Sequence, residues 1–217
     1  MQRSHLASVV AALFLAACGS DGIGNDPGGG SGTLLVNGTI EHNDGGAEFR
    51  VRVRLGGADV PNAGVVIESE IGEVILVWDG NDRYRGEQPG WAAGYRLQVA
   101  VGEDHQVTGS VDAPGPAVLT SPDPQVPFDP HLADQGVVLV SWDGERAMTV
   151  QVRTHSFGWG PFPDEGEVLV PATYFDEDQQ DIEIDRENQV ALAGGLPGSS
   201  LSAQIDTDTR VTVLNSF

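Results

Sequence analysis

Hydrophobic and polar residues alternate with a period of two along most of this chain. The clearest stretch is Phe49-Arg50-Val51-Arg52-Val53-Arg54-Leu55, with four apolar side chains on one face and three arginines on the other. That pattern is the signature of a half-buried strand. Asn43-Asp44-Gly45-Gly46 ahead of it reads as a turn, and residues 34–41 as the hairpin partner. Further strands are predicted over 65–70, 74–78, 83–85, 95–101 and 107–111, with Gly-, Asp- and Asn-rich turns between them. A second run covers 136–142, 148–154, 167–170, 181–185, 189–192, 200–205 and 210–214. Residues 171–175 read as a short helical turn. No segment carries a sustained helical period. The expected class is all-β, as two small antiparallel β-sandwich domains.

Two breaks in the pattern set the expected boundaries. Residues 113–130 hold six of the thirteen prolines. Proline lacks an N–H and is excluded from central strands, so this stretch reads as a stiff connector or edge segment. It places a first sandwich at 33–120, a linker at 121–131 and a second sandwich at 132–217. Upstream, residues 18–32 are rich in Gly, Ser, Asp and Asn, a composition that buries no core and reads as a flexible tether. Its average span is about 20 Å, from about 5–6 Å times the square root of residue number.

The first 17 residues differ again. A weakly basic start precedes an apolar run from Leu6 to Ala17. That run is shorter than the ~20 residues a membrane-spanning helix needs, and the layout is that of a cleaved secretory signal peptide. The segment ends Leu15-Ala16-Ala17-Cys18, which resembles the lipobox of bacterial lipoproteins. The resemblance implies cleavage before Cys18, a diacylglyceryl group on its thiol and usually a further acyl chain such as palmitate on the new amine. More than one chain gives stable anchoring. Gly19, rather than Asp, after the cysteine favours the outer over the inner membrane in this family. Cys18 is the sole cysteine, so no disulfide forms within one chain.

Two more resemblances concern the sandwiches. Val60-Pro61-Asn62-Ala63 leading into Val65-Val66-Ile67, then Gly80-Asn81-Asp82-Arg83-Tyr84 and Gly94-Tyr95-Arg96-Leu97, make residues 48–111 similar to the carboxypeptidase-regulatory or transthyretin-like sandwich. Val137-Val138-Leu139-Val140-Ser141-Trp142 with Thr149-Val150-Gln151-Val152-Arg153 makes 135–214 resemble a fibronectin type III or immunoglobulin-like module. Both resemblances imply presentation and binding rather than catalysis.

Charge narrows the partners. The chain has 32 acids against 11 basic residues, a formal charge of −21, and no Lys. Nucleic acid is excluded as a partner, since its phosphates need basic side chains. The expected partners are the membrane, through lipid, and an envelope protein or a glycan.

Candidate chemistry is sparse. His42, His105, His131 and His155 form no zinc-ligand spacing. No Gly-x-Ser-x-Gly motif or phosphate-cradling loop follows a strand. The acid run Asp176-Glu177-Asp178, with Asp181, is the candidate calcium loop, since calcium takes six to eight oxygens. The alternative is a solvated acidic loop. Arg50, Arg52 and Arg54 form a guanidinium row, either a dock for carboxylate or lipopolysaccharide phosphate or a partner to acids such as Glu41 on its own sheet. Phe157, Trp159 and Phe162 sit in a Gly/Pro-rich stretch, either as a partner-binding loop or as a lid over one end of a sandwich. The expected function is a non-catalytic, membrane-anchored binding or assembly module. The alternatives are a surface carbohydrate- or calcium-binding module and an uncharacterised hydrolase.

Overall fold

The computed structural model describes residues 34–43, 45–145, 147–155 and 158–214. The signal segment, Cys18, the tether and Phe157 lie outside the described residues. The chain is all-β. Sixteen strands run in order as β1 (Leu34–Asn43), β2 (Gly46–Leu55), β3 (Ala58–Asp59), β4 (Gly64–Glu68), β5 (Glu73–Ile75), β6 (Val77–Trp78), β7 (Tyr84–Pro89) and β8 (Gly94–Val101). They continue as β9 (His105–Asp112), β10 (Val118–Ser121), β11 (Val137–Asp143), β12 (Thr149–Arg153), β13 (Gly158–Pro163), β14 (Glu167–Pro171), β15 (Gln179–Ala191) and β16 (Ser200–Thr212). The short helical turn at Ala172–Tyr174 is a single 3-10 turn. Among the described residues no helix is long and apolar enough to cross a membrane.

One long sheet forms a layer of both sandwiches. Its path is β13-β12-β15-β16-β1-β2-β7-β6, with β3 on the flank of β2. A four-stranded sheet, β5-β4-β8-β9, covers one part of it and a three-stranded sheet, β10-β11-β14, the other. The β1–β2 hairpin follows its period-two pattern: Val36 faces Val53 and Ile40 faces Phe49, all four fully buried. These residues pack against Val65, Ile67, Leu97, Val99 and Val107 of the four-stranded sheet as the first core. The second core joins Val150, Val152, Ile182 and Ile184 to Leu119, Val138, Val140, Trp142 and Val170.

The hairpin β15–β16 belongs to both cores. Leu192, Leu201 and Ala203 at one end pack into the first. Ile182, Ile184, Val211 and Val213 at the other end pack into the second. The sheet crosses between the cores where β1 runs parallel to β16, Asn37 against Ser200 through Glu41 against Gln204. The purely antiparallel expectation is corrected at that pair. Both strands lie beside the same core, and β16 returns to β1 from the far end of the chain. The proline-rich stretch contains edge strand β10, and Ala117 and Leu119 pack into the second core.

Several strands differ from expectation for physical reasons. The run at 74–78 splits at Leu76, which is buried and donates its N–H to the Val65 carbonyl at 2.9 Å. The chain there changes sheets, with β5 in one layer and β6 in the other. Segments 181–185 and 189–192 are one strand, as are 200–205 and 210–214. The polar residues between them hide the continuity, since Arg186 faces inward and is fully buried. Residues 158–163 form edge strand β13 against β12. Gly160, at φ +125°, absorbs the irregular register there.

Candidate functional site

The long sheet turns a polar face outward. On β15 the period of two places Asp181, Glu183, Asp185 and Glu187 on that face, with Ile182, Ile184 and Arg186 beneath. Register sets Asp185 opposite Asp206 and Glu183 opposite Asp208. β12 adds Gln151 beside Asp185 and Arg153 beside Glu183. Like charges directly opposite on neighbouring strands repel. Ligand oxygens of Glu183, Asp185 and Asp206 lie within 4.8 Å of one another. Asp185 and Asp206 border a cleft of about 370 Å³ that also takes in Glu41, His42 and Gln204.

Asp185 carries the cost of this arrangement. Its side chain is 15% exposed, and both carboxyl oxygens are screened from solvent with no hydrogen-bond donor in bonding geometry. Burial, reinforced by Asp206 and Glu183, pushes its pKa up to about 8. The Arg153 guanidinium opposes this shift by pairing with Asp185 and, at 3.0 Å, with Glu183. The raised pKa of Asp185 and the Arg153 guanidinium both reduce the negative charge of the cluster from within. Arg153 already competes for two of the three carboxylates, Asp185 and Glu183. The geometry favours internal charge neutralisation over a cation site.

The sequence-derived candidates land elsewhere. Asp181 is held by Arg210 through two bonds of 2.9 Å, and that guanidinium lowers its pKa. Among the described residues, the close group of possible ligands is Glu183, Asp185 and Asp206, rather than Asp176, Asp178 and Asp181. The row Arg50, Arg52 and Arg54 sits on the outer face of β2, each guanidinium engaged. Arg50 meets Glu41 at 2.7 Å and Glu48 at 2.8 Å. Arg52 meets Asp82 at 2.5 Å, and Arg52 and Arg54 share Asp59 at 3.2 and 3.1 Å. Phe162 lies opposite Val150 and packs on the second core. Trp159 is 38% exposed and stands edge-on to Tyr174 with ring centroids 6.2 Å apart. His155 meets Glu177 at 3.6 Å, both exposed.

Sequence reading missed two features. The first is a buried polar hub. Arg186 and Asp164 have fully buried side chains in contact at 2.8 Å. Asp164 also accepts from the Trp142 indole at 3.1 Å and the Ala147 N–H at 2.9 Å, while Arg186 donates to the Gly115 carbonyl at 2.6 Å. The hub ties β11, β15 and three loops together. Its only sequence signal was an arginine at an inward position of β15.

The second is an apolar groove on the outer face of the three-stranded sheet. Leu139 and Leu169 are direct cross-strand partners, yet 42% and 56% exposed. With Val126, itself 55% exposed, and Pro122, Phe128 and Val137, they line a groove of about 600 Å³. Asp123 and Asp134 stand among its lining residues. The signal was present in Val137 to Val140, four apolar residues in a row where a half-exposed strand alternates. No protein-family model matches this chain, and no curated protein matches it either.

Proposed function

We propose that this chain is a lipid-anchored, non-catalytic binding or assembly module of the bacterial cell envelope, with the outer membrane favoured. The single observation that carries the binding role is the exposed groove built on Leu139 and Leu169. Contiguous exposed apolar surface marks interaction sites, and a chain of charge −21 has ample polar residues to cover such a face. The lipobox-like Leu15-Ala16-Ala17-Cys18 supports the anchor. The Gly-, Ser- and Asp-rich composition of residues 18–32 supports a spacer between that anchor and the sandwiches.

The test has two arms. Cells expressing the chain are grown with labelled palmitate, and label is expected on the wild type and absent from Cys18→Ser. Label that survives the substitution overturns the anchor. Cross-linking in intact envelopes is then compared between the wild type and Leu139→Ser/Leu169→Ser. Adducts are expected with the wild type and their loss with the double variant. An unchanged adduct pattern removes the groove from the reading.

A further inference from the structure

The groove lies in a region with an unusual charge pattern. Residues 118–143 and 154–181 contribute all three strands of the β10-β11-β14 sheet and most of its connections. They hold acids throughout and no Arg or Lys. Asp123 and Asp134 line the groove itself. Glu167 shares the outer face of β14 with Leu169, opposite Ser141. The described arginines on the neighbouring strands β12 and β15 are engaged elsewhere, and Arg146 lies outside the described residues. Arg186 is buried against Asp164, and Arg153 is paired with Glu183 and Asp185.

From this geometry we infer that the groove takes an extended cationic polypeptide segment, whose apolar side chains seat between Leu139, Leu169 and Val126 while its Arg or Lys residues meet Asp123, Asp134 and Glu167. The inference rests on the reading of the groove as the binding surface and names the chemistry of its partner. Charge complementarity selects against the other occupants. A second copy brings another net charge of −21, and anionic lipid is repelled in the same way. Sugars stack on exposed aromatic faces, whereas this groove is aliphatic and its Phe128 is already packed edge-on against Phe175 at 5.4 Å. Apolar anchors give such a complex its affinity, and the surrounding acids set partner choice and association rate.

The test uses the full chain carrying Cys18→Ser, so that no acyl chain competes for the groove. The probes are three labelled ten-residue peptides that alternate Arg with Leu, Glu with Leu, and Arg with Ser. Binding is read by fluorescence anisotropy at about 50 and 150 mM salt, around the range where surface charges become screened. The Arg–Leu peptide is expected to bind, and more weakly at the higher salt. Leu139→Ser and Leu169→Ser each reduce its affinity about tenfold, the worth of burying one leucine. Their melting temperatures stay near that of the wild type, because both side chains face solvent. The other two peptides are expected to bind at least tenfold more weakly.

Equal binding of the Glu–Leu and Arg–Leu peptides, both lost in Leu139→Ser, overturns the cationic partner and leaves the groove as a binding surface. Arg–Ser binding as tight as Arg–Leu, and indifferent to Leu139→Ser, overturns both the inference and the groove. A wild-type dimer in sedimentation that Leu139→Ser dissociates assigns the groove to a second copy and overturns the inference. Leu139-dependent uptake by phosphatidylglycerol vesicles assigns it to lipid and does the same. Absence of binding by all three peptides, with a monomer that ignores vesicles, overturns both readings.

Discussion

Asp185→Asn isolates the largest electrostatic tension in the fold. Burial and the neighbouring Asp206 and Glu183 raise the Asp185 carboxyl from the ordinary 3.8 to about 8. The folded protein thus binds this proton more tightly than the unfolded chain does. The stability it contributes is fully present below about pH 4 and is lost as pH rises through about 8. At about 1.4 kcal/mol per unit, the full shift bounds the loss at ~6 kcal/mol. Arg153 attracts the ionised form, which reduces the loss below that bound. The expected loss between pH 5 and pH 9 is therefore about 3 kcal/mol. Asparagine keeps the shape of the neutral acid and does not titrate. The wild type should lose about 3 kcal/mol more than Asp185→Asn over that range, measured by urea unfolding at fixed pH steps. Asp208, also raised by burial and acidic neighbours, gives both proteins a common slope that cancels in the difference. Parallel stability profiles for the two proteins, or a wild type that gains relative to the variant as pH rises, would refute the reasoning.

Further tests address the remaining features. Asp164→Asn leaves the buried Arg186 cation without a counter-charge and should cost about 3–5 kcal/mol in denaturant unfolding, whereas adding Arg186→Met should recover part of that loss. Gly194 sits at φ +82°, where an added Cβ collides with the Gln106 carbonyl. Gly194→Ala should cost about 2–3 kcal/mol and lower the thermal midpoint, loosening the joint between β9 and the end of β15. Phe162→Ala should cost about 2 kcal/mol as a partly buried core ring, against less than about 1 kcal/mol for the more exposed Trp159→Ala. Arg50→Ala opens a surface pair with Glu41 and Glu48 and should shift the melting temperature by no more than a few degrees.

The period-two pattern was enough to place most strands, because a strand with one face buried and one face wet writes its geometry directly into the order of residues. β1 and β2 were legible for that reason. β13 was hidden because glycine and proline occupy an edge strand whose unpaired side needs no donor. β15 and β16 were legible only in part, because each changes what it packs against along its length. Ile182 and Ile184 meet one core and Leu192 meets the other, so the inward residues are interrupted by Arg186 where the cores meet. Pairing between residues 37–41 and 200–204 depends on strands more than 150 positions apart, and no local pattern encodes it.

The candidate sites were hidden by the same non-locality, and the arginines make the point most sharply. Read along the chain, Arg50, Arg52 and Arg54 form a cationic stripe. In the fold, every arginine among the described residues has a carboxylate within 4.0 Å. Acids from β1, β3 and the turn before β7 converge on the stripe and neutralise it. Most of the described arginines are thus already paired on the outer face of the long sheet or in the Asp164 hub, and Arg96 on β8 meets Glu68 at 4.0 Å. The strands of the three-stranded sheet carry no Arg or Lys, and Asp123 and Asp134 stand among the residues that line its apolar groove. That segregation, rather than the net charge, makes a cationic partner with apolar anchors the chemistry this surface selects. A chain of identical composition with arginines spread evenly would present no such preference.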